Sequence, residues 1–160
     1  MISMTLEGVR VETPTNQPIV LLRETEGSRF LPIFIGIREA EAIVFGTQGI
    51  VTKRPLTHDL LRDVLGELGF SLVRVVITEL RENTFYANLE LERNGEAHVV
   101  SARPSDAIAL AVRTQTPLFA ESAVLEEAGV EFEADAEEEE DEVEKFRNFL
   151  DSVTPEDFAS

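Results

Sequence analysis

"SLVRVVITELRENTFYANLELERNGEAHVVSARPSDAIALAV", residues 71–112, carries two periods in succession. Before Arg103 the apolar residues alternate. Phe85, Ala87, Leu89 and Leu91 occupy every second position, as in a strand with one buried face. "RENT" (81–84) and "RNGE" (93–96) interrupt the alternation. The Asn-Gly pair in the second is a strong hairpin signal, because both residues tolerate positive φ. The spacing predicts an antiparallel meander over 71–80, 84–92 and 97–102. After Arg103-Pro104 the pattern becomes helical, and a helix over 105–114 is expected.

The preceding half has the same design. Residues 3–12, 19–24 and 29–35 are predicted as three strands. "TEGS" (25–28) is a hairpin turn in which Gly27 is expected to take positive φ. Met4 and Leu6 share a face with Val9 and Val11 only if Gly8 forms a bulge. Pro32 implies an edge or a bulge. Helices follow over 38–47 and 57–68. The second sets Leu60, Leu61, Val64, Leu65 and Leu68 on one stripe expected to be half-buried, and Gly69 stops it. "TPLF" (116–119) is a candidate last strand and 121–128 a short helix. Phe30, Phe34, Phe45, Phe70, Phe85 and Tyr86 are core candidates. The expected fold is α+β, in the order β-β-β-α-α-β-β-β-α-β-α, with helices packed on antiparallel meanders. One domain spans 1–130, and 131–160 form an acidic tail.

The 160 residues suit one domain with a core of its own. There are no cysteines, which excludes disulfides and thiolate metal sites. No apolar run is long enough for a membrane span. The opening "MISMTLEGVRVE" lacks the basic start of a signal peptide, so a cytoplasmic protein is expected. The net charge is −17, of which −11 falls in 131–160. Nine of the twelve residues over 133–144 are acidic, the composition of a solvated linker. Val143, Phe146, Leu150 and Val153 then recur at helical spacing, a short amphipathic helix suited to docking on the body or on a protein partner.

Two corners of the chain begin alike. "RPLTHDLL" starts at Arg54 and "RPSDAIAL" at Arg103. As helix starts they are simply explained: Thr57 and Ser105 are preferred N-caps, and Asp59 and Asp106 sit where the helix dipole favours negative charge. The same geometry is an anion site. Arg54 and Arg103 offer bidentate phosphate donors, Asp59 and Asp106 are hard oxygen ligands suited to magnesium or manganese, and His58 is a general acid or base. Together with Ser105 these are the parts of metal-assisted phosphodiester hydrolysis, provided that the two corners meet. Glu39 and Glu41, two apart on a helix, are expected to be solvated, and His98 to be a strand residue without catalytic duty.

"LPIFIGIREAEAI" (31–43), "RPLTHDLL" (54–61), "RVVITEL" (74–80), "TFYANLEL" (84–91) and "ARPSDAIALAVR" (102–113) resemble, in order, the bifunctional nuclease family over about residues 3–128. The resemblance implies an α+β domain and metal-dependent cleavage of DNA and RNA. The family pattern often has an acid just before "ARPSDA", where this chain has Ser101; this puts one metal ligand in doubt. The expectation is therefore a nuclease with a nucleic-acid substrate and no membrane partner. The alternative is a non-enzymatic regulatory or anion-binding protein whose tail docks a partner. Pro32 and "TPLF" suggest sheet edges that need cover, and so a homo-oligomer, with a dimer favoured.

Overall fold

The structure is a computed structural model that describes residues 1–131. The acidic run at 133–144 and the apolar spacing from Val143 to Val153 lie outside the described residues. The elements are β1 (Ile2–Glu12), β2 (Gln17–Glu24), β3 (Arg29–Phe34), α1 (Ile37–Thr47), α2 (Thr57–Glu67), β4 (Ser71–Arg81), β5 (Thr84–Arg93), β6 (Glu96–Ala102), α3 (Pro104–Thr114), β7 (Leu118–Ala120), α4 (Ser122–Ala128) and β8 (Val130–Glu131). The α+β class and the two meanders are as expected. β8 was not foreseen, since a two-residue strand leaves no periodic signal.

The strands form one sheet in the order β6-β5-β4-β7-β1-β2-β3-β8. β7 is the seam. It pairs antiparallel with β1 and parallel with β4, and so welds the two meanders together. "TPLF" therefore leads into an interior strand, contrary to the expected edge. It is short because only three residues are needed to bridge the gap. Pro32 does sit near an edge: β8 pairs with β3 only at Arg29 and Phe30, before the proline is reached.

Local details follow from side-chain chemistry. The register of β1 on β2 slips between Leu6 and Gly8, and Gly8 takes φ 145°. This bulge puts Val9 on the buried face with Met4, as the alternation required. Asn94 and Gly95 both take positive φ in the β5–β6 hairpin. Gly27 does not. The Glu24 carboxylate, paired with Arg29, fills the space where a Cβ would stand, so what this turn needs is room. Phe34 is exposed, while Phe45 belongs to the core.

α3 is the hub of the core. Pro104, Ser105 and the run from Ala107 to Ala111 are buried, and the helix packs on α1, α2, β4 and β5. Ala107, Ala109 and Ala111 keep its side-chain bulk low, so its neighbours can approach closely. At the contact, Gly46 of α1 faces Val112 and Arg113, where an added Cβ would lie 2.5 Å from Val112 and 2.7 Å from the guanidinium. Fully burying Ile108 and Leu110 contributes roughly 1.5–3 kcal/mol each. Among the described residues, no helix is long and apolar enough to cross a membrane.

Candidate functional site

The two Arg-Pro corners meet. His58, in the first turn of α2, places Nε2 2.8 Å from Oδ1 of Asp106, in the first turn of α3. Oδ2 of Asp106 accepts from Arg103 Nε at 2.9 Å, and Arg103 Nη1 reaches Glu39 Oε1 of α1 at 3.2 Å. Three helices thus supply one polar chain, Glu39–Arg103–Asp106–His58. It lines a cavity of about 350 Å³ whose other walls include Arg38, Glu41, Phe45, Leu56 and Thr57. His58 is mostly buried, whereas Arg103 is largely exposed.

The helix starts differ from the expected caps. Thr57 is the first residue of α2, and the N-cap is Leu56. Pro104 is the first residue of α3, and the N-cap is Arg103. Neither start has a side-chain capping bond at the N-cap. The physical reason at α3 is proline itself. Its fixed φ and missing N–H suit the first helical position, which forces the preceding arginine into extended backbone at φ −70°, ψ 142°. At α2 it is Asp59 that reaches back, accepting the Leu56 N–H at 3.1 Å.

Asp59 turns away from the cavity. Its Oδ1 accepts from Arg113 Nε at 2.7 Å, and Arg113, with 4 % of its side chain exposed, also donates to the Ala109 carbonyl at 2.7 Å. Asp59 and Arg113 line a second cavity, of about 390 Å³, with Lys53, Pro55 and Arg62. Arg54 is exposed and lines neither cavity. Ser105 is buried and faces a third cavity, shared with Arg103, Phe34 and Phe85. Of the sequence-predicted set, then, His58, Arg103 and Asp106 come together, while Arg54, Ser105 and Asp59 stand outside their cluster.

Burial pushes the Asp106 carboxyl up, but hydrogen bonds from Arg103 and His58, reinforced by their charges, outweigh it and hold the group below the ordinary carboxylate range. Asp59 behaves alike. Burial raises it, while the bonds from Arg113 and the Leu56 N–H and the nearby charges of Arg113 and Arg62 lower it further. An ionised Asp106 accepts only, so His58 Nε2 carries the proton of their bond. Glu41 is the opposite case. It is buried, with 6 % exposed, and burial raises its pKa against the partial compensation of Arg38, whose Nη1 lies 3.4 Å away.

Glu39 and Glu41 correct the sequence expectation, since neither is simply solvated. The available signal was spacing: Glu41 lies one turn before the core residue Phe45 and three residues after Arg38. His98 lies in a strand, as expected, with its ring edge-on to Phe70 at 5.3 Å. A metal shared by Asp59 and Asp106 does not fit this arrangement. The two carboxylates open onto different cavities, and both oxygens of each already accept hydrogen bonds. Among the described residues, no group of three or more His, Asp or Glu side chains is placed to hold a metal ion.

Comparison with known proteins accords with the motifs. The family model described as "Bifunctional nuclease domain" matches residues 20–133. An uncharacterised protein of Mycobacterium tuberculosis is 53% identical over 157 residues, which cover 94% of each chain. Bifunctional nuclease 2 of Oryza sativa subsp. japonica is 26% identical over 116 residues, covering 70% of this chain and 36% of the rice protein. Bifunctional nuclease 2 of Arabidopsis thaliana is 28% identical over 103 residues, covering 62% of this chain and 31% of the plant protein. The chain spans about a third of the length of these plant relatives.

Proposed function

We propose that this chain, which belongs to the bifunctional nuclease domain family, hydrolyses phosphodiester bonds of DNA or RNA at the cavity where α1, α2 and α3 meet. The observation that carries the reading is the His58–Asp106–Arg103 cluster, built by two sequence-distant corners. In this reading Asp106 holds the imidazole by its Nε2–H and leaves Nδ1 as the nitrogen that exchanges a proton during hydrolysis. Arg103 supports the negative charge that builds on the phosphate oxygens. Its exposure suits that task, and Glu39 keeps its guanidinium poised over the cavity until a phosphate takes the place of the carboxylate. Arg54 is a contributor to backbone binding outside the cavity. Any dependence on magnesium or manganese is read directly from the cleavage assay.

The test is cleavage of end-labelled single-stranded DNA and RNA by the purified full chain, with EDTA, Mg²⁺ or Mn²⁺. His58→Ala and Asp106→Asn should each lower the rate by about 10²–10⁴-fold while circular dichroism stays unchanged. Equal cleavage by wild type and both variants would identify a contaminating nuclease and end the proposal.

A second reading draws on the pairing of Arg103 with two carboxylates and on the net charge of −17. Here the chain binds an anion or nucleotide for regulation and performs no hydrolysis. Binding of an oligonucleotide that Arg103→Ala abolishes, with no cleavage under any metal condition, would favour it.

A further inference from the structure

The two edges of the sheet are treated very differently. At one end β3 carries Pro32 and is partly covered by β8. At the other end β6 pairs with β5 along its whole length, from Glu96 to Ala102, without a bulge, and among the described residues its outer side has no partner strand in the sheet. Every residue of β6 except Ala102 is exposed, so the strand is largely open on both faces. Val99 is 61 % exposed and Val100 47 %.

Soluble proteins guard such an edge with lysine, proline, a bulge or a covering element, because a row of open N–H and C=O groups recruits another strand. Among the described residues none of those devices is present over "AHVVSA" at 97–102. The apolar surface also continues inward. Phe70, just after α2, packs on His98 of β6, and α2 leaves Leu60, Val64 and Leu68 exposed.

We propose that β6 pairs antiparallel with β6 of a second copy of this chain, joining two sheets across a two-fold axis near Val99. The order of side chains along β6 suits this occupant. A two-fold antiparallel pairing must match residues whose side chains share a face, so a register centred on Val99 sets Ala97 opposite Ser101 and His98 opposite Val100. Glu96 then lies opposite Ala102, beside the second copy's Arg103 and opposite to it in charge. No carboxylate faces a carboxylate. The second copy thereby adds an acidic side chain next to the exposed arginine of the site. A seven-residue strand pair alone falls short of the roughly 1,200 Å² that stable interfaces bury. The exposed valines and the flank of α2 supply the remainder.

The proposal stands apart from the nuclease reading, and its test uses no activity. Sedimentation velocity of the full chain at micromolar concentrations should show a dimer. Val99→Lys, which puts two ammonium groups face to face on the axis, should raise the dissociation constant by roughly a hundredfold or more. The chain lacks cysteine, so Val99→Cys provides a second measurement if the lysine variant fails to fold. Mild oxidation should give a covalent dimer, whereas Ser122→Cys, at an exposed position of α4, should not. A monomeric wild type, a Val99→Lys chain that remains dimeric, or equal cross-linking of the two cysteine variants would overturn the proposal.

Discussion

α3 buries Pro104, Ser105 and the run from Ala107 to Ala111, whereas α2 buries nothing fully, although both helices follow an Arg-Pro corner and both carry an apolar stripe. The corners differ by one residue. Pro104 is the first residue of its helix, while Pro55 stands outside, with Leu56 between it and Thr57. The larger difference is what each helix meets. α3 packs against α1, β4 and β5, with α2 beside it; α2 lies on the outside, held to α3 at its start by His58–Asp106 and Asp59–Arg113. The lesson is that a local motif sets where a helix begins, and its neighbours set what the helix is for. In this protein the buried helix holds the site together and the exposed one brings the histidine.

The widest separation between the corners is expected in catalysis. Arg103→Ala should cost about 10²-fold or more in cleavage rate, the scale of losing one charge-stabilising donor. Arg54→Ala should cost less than about tenfold, with its effect mainly in the salt dependence of nucleic-acid binding. Equal losses measured in one steady-state assay would erase the functional distinction between the two arginines.

Stability comes next. Leu110→Ala in α3 should lose about 2–5 kcal/mol in urea denaturation, the cost of a cavity in a closed core. Leu60→Ala in α2, whose side chain is already exposed, should lose less than about 1 kcal/mol. Between these lies the tie itself. Asp59→Ala leaves the Arg113 guanidinium buried without its carboxylate and should cost about 2–3 kcal/mol.

A smaller effect concerns pH. The folded pKa values of Asp59 and Asp106 lie below their ordinary value. Their contribution to stability is therefore complete above the unfolded carboxylate pKa, near 4, and is lost as pH falls through the lowered folded values. Asp59→Asn should flatten the acid limb of the melting curve measured from about pH 5 downward. Glu41 has the reverse sign. Its pKa is raised by burial, so its ionisation opposes folding as pH rises above the ordinary carboxylate value. Glu41→Gln should raise the melting temperature at pH 7 by about 2 °C or less, and the gain should vanish at low pH. A gain independent of pH would show that packing, and not charge, sets the effect.

Much of this was legible along the chain. The alternation at Phe85, Ala87, Leu89 and Leu91 requires a half-buried strand whatever surrounds it, and the slip at Gly8 requires a bulge, because a side-chain period of two leaves no other way to keep Met4 and Val9 on one face. His58, Arg103 and Asp106 were visible as residues suited to one chemistry. Their partners were not. Glu39 looked solvated because a helix shows its own spacing but not which arginine comes from another element. Arg113, the residue that claims Asp59, sits in the last turn of α3, and nothing in its local sequence points to a partner on another helix. The α2 stripe promised more burial than it has, because periodicity counts apolar positions and not the area of the surface that receives them.

The order and kind of the elements from β1 to α4, both hairpin meanders and the two helix starts were determined by local chemistry: side-chain period, turn conformation and the fixed φ of proline act over a few residues and need no distant partner. The seam at β7, the open edge at β6 and the union of His58 with Asp106 were decided only by tertiary structure. Each depends on residues tens of positions apart, brought together by burial of α3, a driving force that has no direction along the chain.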